Sequence, residues 1–453
     1  MSFVSVPIYT SLLSPYEFGR YSLIMAAVAV ADAMCFQWMV VSVVRFLPRF
    51  RAEPGFFVRQ ISRYFSVTLG LVLLTSLLAI LLLHEKNAVL ISLGVFLLSV
   101  TAWNELNLEL ARSRFRVAEY AIAASAAAVL GLGTGVLMAR AGMGERAPVA
   151  GSAIALFVTG CGFLIRGRND FLQSSSSSHE GQLFQSLLSY GGPMAVALLV
   201  SSLLNASDRF LINHMLGPAS VGIYSAAWSL VFPAITILGS TINLAGFPQI
   251  IHGFESQDPM LQSRIQHQLT LLVKILVPAA IGTYILSGEI ARVFLGSDFS
   301  VVAASLLPGL ALVAALSTLR SLYTDLAFHL EKKSSTLSLI MLAALLCSVS
   351  LNFLLLPRFG VRAAVWSALA GYSVALLFSV VLGRKLFKLP GLSKTESIRV
   401  GISSLTMVLV LKNTDLGDDR VDVLLRVLIG VTIYFLVDWI VGLFNRRPGH
   451  VTS

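Results

Sequence analysis

Seven ionisable side chains lie in stretches of this chain that are otherwise apolar: Asp32, Arg45, Asp208, Arg209, Lys274, Arg320 and Asp325. A charge in an apolar helix is costly, and by default it marks an ion or substrate path, a proton relay or an interhelical pair. Asp32, in "VAVADAMCFQ", is the most isolated acid of the chain. It can bind a coupling cation or a proton, or pair with an arginine from elsewhere in the chain. Asp208 and Arg209 are neighbours on one predicted helix, about 100° apart around its axis, so they cannot simply pair with each other. One of them is expected to face a cavity and the other a neighbouring helix. Arg45, Lys274, Arg320 and Asp325 lie near the ends of their stretches, where snorkelling to the headgroups is the expected role and substrate binding the competing one. Other chemistry is missing from the sequence. There is no G-x-x-x-x-G-K-[ST], no H-E-x-x-H and no G-x-S-x-G, so neither ATP hydrolysis nor another enzymatic activity is expected, and no cofactor. Cys35, Cys161 and Cys347 lie far apart without CxxC spacing and read as buried, inert thiols.

The elements that must hold these residues follow from composition. Hydrophobic residues make up 56% of the 453, charged residues only 12%, and the mean hydropathy is +0.82. A soluble chain carries about a quarter charged residues, so this one cannot clothe itself for water and reads as a polytopic membrane protein. The net charge of +10 does not indicate nucleic acid, because the basic residues are scattered through short loops rather than gathered in one domain. No basic segment precedes the first apolar stretch, so no cleavable signal peptide is expected.

Strand-like alternation is absent, and lipid demands internally satisfied backbones, so the apolar segments read as helices. Their expected spans are 16–44, 64–83, 88–108, 117–139, 148–165, 188–212, 220–245, 268–288, 301–319, 335–356, 362–383, 397–411 and 424–444. Ahead of them, 2–13 is apolar but too short to cross about 30 Å of hydrocarbon. It reads as the latter part of a first helix whose start is missing, which gives about fourteen helices in all. Lys and Arg gather about two to one in alternate loops and at the C-terminus, which predicts that those loops and the C-terminus are cytoplasmic. "RGRNDFLQSSSSSHEGQ" (166–182) reads as a flexible cytoplasmic connector.

One string is written twice. "LLSPYEFGRYS" (12–22) and "MLGPASVGIYS" (215–225) share Leu, Pro, Gly, Tyr and Ser at Leu13/Leu216, Pro15/Pro218, Gly19/Gly222, Tyr21/Tyr224 and Ser22/Ser225. Pro and Gly suit a tight turn, by a fixed φ and by tolerance of positive φ. Six expected helices separate the copies, so both have the same orientation, as in parallel repeats. The expected organisation is an N-lobe at 1–165, the linker at 166–182, a C-lobe at 183–385, and a final helix pair with a cytoplasmic tail at 386–453. Two similar tight turns without duplication remain the plainer reading.

"PIYTSLLSPYEFGRYSL", "VVRFLPRF" and "NASDRFLINHMLGPASVGIYSAAWSL" together resemble the polysaccharide flippases of the multidrug/oligosaccharidyl-lipid/polysaccharide exporter superfamily. The resemblance extends over nearly the whole chain. It implies two six-helix lobes plus a final pair in the bacterial cytoplasmic membrane. It also implies movement of undecaprenyl-pyrophosphate-linked oligosaccharide from the cytoplasmic to the outer leaflet, by alternating access without ATP. The implied partners are the bilayer, the lipid-linked oligosaccharide, and the glycan polymerase and co-polymerase of the same pathway, with no nucleic acid. An anionic pyrophosphate would suit Arg45, Arg209, Lys274 and Arg320, since the planar arginine fork grips two oxygens. Asp32, Asp208 and Asp325 would then be coupling or interhelical acids. A departure from the family is the short first helix. Two other readings stay open: a cation-coupled drug exporter of the same superfamily, and a membrane-embedded glycan polymerase or ligase, which the short outer loops disfavour.

Overall fold

The computed structural model describes residues 2–50, 54–83, 88–172, 180–414, 417 and 420–445. Among them every regular element is helical and no strand occurs, as the sequence predicts. In chain order the helices are α1 (Ser2–Leu12), α2 (Pro15–Cys35), α3 (Gln37–Phe46), α4 (Pro54–Leu83), α5 (Ala88–Ser113), α6 (Val117–Arg140), α7 (Arg146–Leu172), α8 (Glu180–Leu216) and α9 (Pro218–Glu255). They continue with α10 (Leu261–Ile285), α11 (Ser287–Phe294), α12 (Ser297–Leu319), α13 (Leu326–Leu330), α14 (Ser334–Phe359), α15 (Arg362–Gly383), α16 (Lys394–Asn413) and α17 (Arg420–Asn445). A 3₁₀ turn, Leu47–Phe50, follows α3, and a π-helical turn, Arg320–Thr324, joins α12 to α13.

Twelve helical segments are long and apolar enough to cross a membrane, among the described residues. The 11-residue α1 and the more polar α16, which carries Lys394, Glu396, Arg399 and Lys412, are not among them. With these two the total is the fourteen that hydropathy predicts. Residues 173–179 of the serine-rich connector lie outside the described residues, as do Arg51, Arg446 and Arg447 of the charge pattern.

The chain divides into two compact units. Unit 1 holds Leu12–Gly222, and unit 2 holds Ser2–Ser11 with Ile223–Ser453. Compactness is a different property from duplication, and the six-helix lobes stay a proposal. In unit 2, α1 meets the start of α12: the Gly296 amide donates to the Thr10 hydroxyl at 3.2 Å. In unit 1, large side chains of α3, α4, α5 and α8 build the core, with Phe36, Met39, Phe57, Ile61, Leu97, Leu106 and Leu187 almost fully enclosed.

The repeated string has a different purpose from the one its residue types suggest. Ser14 caps α2: its hydroxyl accepts from the Glu17 amide, and the Glu17 carboxylate accepts from the Ser14 amide. At the matching place in the second copy, Gly217 has φ +83° and closes α8. Gly19 and Gly222, however, are helical and do not serve the turn. Each faces the other copy. A Cβ on Gly19 would stand 1.8 Å from the Pro218 carbonyl oxygen, and one on Gly222 would stand 2.0 Å from that of Pro15. The beginnings of α2 and α9 therefore touch backbone to backbone, reciprocally, as small residues permit in membranes.

Unit 2 fastens its final helix pair with charge. Lys274 of α10 lies 2.8 Å from Glu396 of α16 and 3.1 Å from Asp438 of α17. Arg399 of α16 closes the ring, 2.7 Å from Glu396 and 2.9 Å from Asp438. Two cations and two anions leave the ring neutral. Twelve residues before Asp438 on α17, Arg426 pairs with Glu289 of α11 at 2.8 Å and donates to the Leu411 carbonyl at 3.0 Å.

These contacts predict two results in thermal unfolding of the purified protein. Gly222→Leu forces side chain into backbone and should destabilise by about 1–3 kcal/mol, whereas Gly70→Leu, with open space around it, should change little. Asp438→Ala leaves Lys274 and Arg399 with one anion between them and should cost about 3–5 kcal/mol. The double substitution Lys274→Met/Asp438→Leu keeps the Arg399–Glu396 pair and should recover most of that loss.

Candidate functional site

The isolated acid of the sequence has company in unit 1. Asp32 is 5% exposed, and its Oδ2 accepts a hydrogen bond from the Gln37 side-chain amide at 2.7 Å. The same nitrogen donates to Oε2 of Glu105, on α5, at 2.5 Å. An oxygen of each carboxyl thus lies within 2.7 Å of one and the same amide nitrogen. Gln37 lies five residues after Asp32, and in an unbroken α-helix such positions point about 140° apart. The helix is not unbroken: α2 ends at Cys35, Phe36 turns at φ −118° and ψ −27°, and α3 starts at Gln37. That break brings the amide round to the acid. Arg45 lies a little further along α3, its guanidinium 4.2 Å from the centre of the Tyr190 ring of α8. This is cation–π range, and Tyr190 in turn meets Phe46 edge-on at 5.9 Å. Asp208 is 1% exposed, while Arg209 is half-buried and donates back to the Asn205 carbonyl of its own helix at 2.6 Å.

In unit 2, Lys274 belongs to the charged ring of α10, α16 and α17 and does not snorkel. Glu396 stands ahead of the apolar part of α16. Burial pushes its carboxyl up, but the hydrogen bond and charge of Lys274 with the charge of Arg399 outweigh this and hold it below the usual carboxylate range. Arg320 and Asp325 do not snorkel either. They are 8% and 5% exposed and form an ion pair at 2.5 Å, and the Ser379 hydroxyl of α15 donates to the other carboxylate oxygen at 2.6 Å. This too is a five-residue separation. The π-turn makes it possible, with the Asp325 amide bonded to the Arg320 carbonyl. Gln268 of α10 donates to the Leu322 carbonyl inside the turn at 3.0 Å.

Beside the ring lies an apolar cavity of about 450 Å³. Its walls come from α9, α10, α11, α16 and α17, and include Ile235, Ala279, Phe294, Leu411, Gly430 and Phe435. Only Thr283 and Tyr434 bring polar atoms to it on their side chains.

The structure thus groups Asp32 with Gln37 and Glu105, Arg320 with Asp325, and Lys274 with Glu396, Arg399 and Asp438. It does not draw Lys274 and Arg320 into one cluster. Reasoning from sequence missed Glu105, Glu396, Arg399 and Asp438. Three of them carried a signal: Glu105 and Arg399 fall inside the expected spans 88–108 and 397–411, and Asp438 stands in the middle of "IYFLVDWIVG". The three cysteines are free, as expected, but half-buried rather than buried.

Comparison with known proteins gives this arrangement a family. A family model described as polysaccharide biosynthesis protein matches residues 8–304, more than half of the chain. A putative O-antigen transporter of Shigella flexneri is 23% identical over 186 residues, covering 41% of this chain and 44% of that protein. A probable low-salt glycan biosynthesis flippase, Agl15, of Haloferax volcanii is 25% identical over 191 residues, covering 41% of this chain and 39% of that protein. The chain thus matches less than half the length of these curated relatives. Among solved structures, the lipid II flippase MurJ in an inward closed conformation superposes with a TM-score of 0.80 at 13% identity, over 98% of this chain and 97% of that one. An inward-facing multidrug resistance MATE family transporter of the MOP superfamily gives 0.66 at 16% identity, over 85% and 93%. The chain belongs to the polysaccharide biosynthesis protein family and has the fold of the multidrug/oligosaccharidyl-lipid/polysaccharide exporter superfamily.

Proposed function

We propose that this protein moves undecaprenyl-pyrophosphate-linked oligosaccharide repeat units from the cytoplasmic to the outer leaflet of the bacterial inner membrane, by alternating access and without ATP hydrolysis. The observation that carries this reading is the apolar cavity between α9, α10, α11, α16 and α17. A cargo with a long polyprenyl tail needs lodging for hydrocarbon, whereas a small cationic drug does not. Family membership and the printed names of the relatives support the glycan part of the cargo.

On this reading the headgroup cation is Arg45, in unit 1. Lys274 and Arg320 are held in ion pairs and serve to keep helices in place, because a cation already neutralised in low dielectric has little attraction left for a phosphate. The loops rich in Arg and Lys, with the C-terminus, face the cytoplasm.

Deleting the gene should abolish the surface polysaccharide and leave lipid-linked repeat units on the cytoplasmic leaflet. Normal polysaccharide in the deletion strain would sink the reading. In that background Gly430→Trp, which fills the cavity, should restore little polysaccharide although the protein reaches the membrane. Gly401→Ala, with no neighbour near its Cβ position, should restore it fully. Resistance to cationic dyes that disappears with the gene, with polysaccharide unaffected, would favour the drug exporter.

A further inference from the structure

We propose that Asp32, Gln37 and Glu105 form a proton-binding site in unit 1, in which the two carboxyls share one proton at the break between α2 and α3. Three observations converge on it. The first is the convergence of the two carboxyls on one group: Oδ2 of Asp32 and Oε2 of Glu105 lie 2.7 and 2.5 Å from the same Gln37 nitrogen. An ionised carboxylate only accepts, and a single proton held by the pair would let one carboxyl donate as well. The second is the absence of a compensating cation. Among the described residues no Lys, Arg or His comes within ion-pair distance of either carboxyl, and Gln37 supplies an amide without charge. Two carboxylates, one buried and one half-buried, facing one neutral group would repel each other in a poorly screened setting. The third is Oδ1 of Asp32, which is buried and has no hydrogen-bond partner.

The donor set favours a proton over a metal ion. A hard cation needs a shell of oxygens at short range. Here the point where carboxylate oxygens of both residues converge is filled by the Gln37 nitrogen. Other titratable or charged groups on the elements packed around the pair include Cys35 on α2, Arg45 on α3, Arg63 on α4, Glu109 on α5, Cys161 on α7 and Asp208 on α8. None of these is within hydrogen-bond or ion-pair distance of Asp32 or Glu105.

The break gives the proton something to act on. Gln37 is the first residue of α3 and Arg45 lies in its last turn. Losing the proton sets two like charges against the one amide that joins α3 to the end of α2. Protonation is thereby linked to the placing of Arg45. Its meaning for cargo rests on the flippase reading, but the proton itself does not.

The test uses the full chain in phosphatidylcholine nanodiscs, with infrared difference spectra taken across a pH titration in H2O and D2O. The wild type should show a deuterium-sensitive protonated-carboxyl band at about pH 7, where ordinary carboxylates are ionised. Asp32→Asn/Glu105→Gln should lack that band. In either single variant the remaining acid no longer faces a second charge, and the midpoint of proton loss should fall by about one pH unit or more. Gln37→Leu keeps both carboxyls and should keep the band. A wild type without the band, a band surviving in the double variant, or unchanged midpoints in both single variants would overturn the proposal. A sodium-specific change in Trp38 and Trp103 fluorescence, matched by no effect of choline and lost in the double variant, would also overturn it by making the site one for a metal ion. None of these readings requires transport, so they stand or fall apart from the identity of the cargo.

Discussion

A charge inside hydrocarbon has no water to answer to, and its partner must come from the protein itself. The described ion groups of this chain follow that constraint. Lys274 and Arg399 share two carboxylates, Arg320 leans on Asp325, and Arg426 leans on Glu289. These pairs tie α10, α11, α16 and α17 together and brace the junction of α12 with α13. The polar α16 can join an otherwise apolar bundle because its charges are met there. The cavity beside the ring has walls from the same helices, so the charges that fasten α16 and α17 also define the space for hydrocarbon.

Two of the intramembrane acids occupy irregular backbone, and in both cases the irregularity creates the pairing. Asp32 reaches Gln37, and Asp325 reaches Arg320, each over five residues. Regular α-helix would hold such positions on diverging faces. A break in one unit and a π-turn in the other solve the same geometrical problem by different means. Irregular helix at membrane depth is tolerated where protein satisfies its backbone, and Gln268 does this for the π-turn. Such turns recur at functional sites, which accords with an acid at each.

The helices were legible because lipid leaves the backbone few choices, so hydropathy alone located fourteen of them. The echoed string was legible as a turn between helices, but two of its glycines were misread as turn residues. Gly19 and Gly222 are small because another backbone lies against them, and that cause comes from a residue some two hundred positions away. Snorkelling was the wrong expectation for Lys274 and Arg320, because position along a helix says nothing of which partners stand across from it. Glu396, Arg399 and Asp438 lie far along the chain from Lys274, and no local pattern joins them. Asp32 was visible as an acid out of place. The break after Cys35, which gives it Gln37, has no proline or glycine to announce it.

The contact between Thr10 and Gly296 spans 286 positions of sequence. At a synthesis rate of 5–20 residues per second, about 15–60 s separate the emergence of these two residues. Throughout that interval α1 has been made and its place in unit 2 has not. The beginning of α2, by contrast, waits only for Gly222 to find its neighbour. The seat of α1 is thus made well after α1 itself, and the order of assembly is not the order of the sequence.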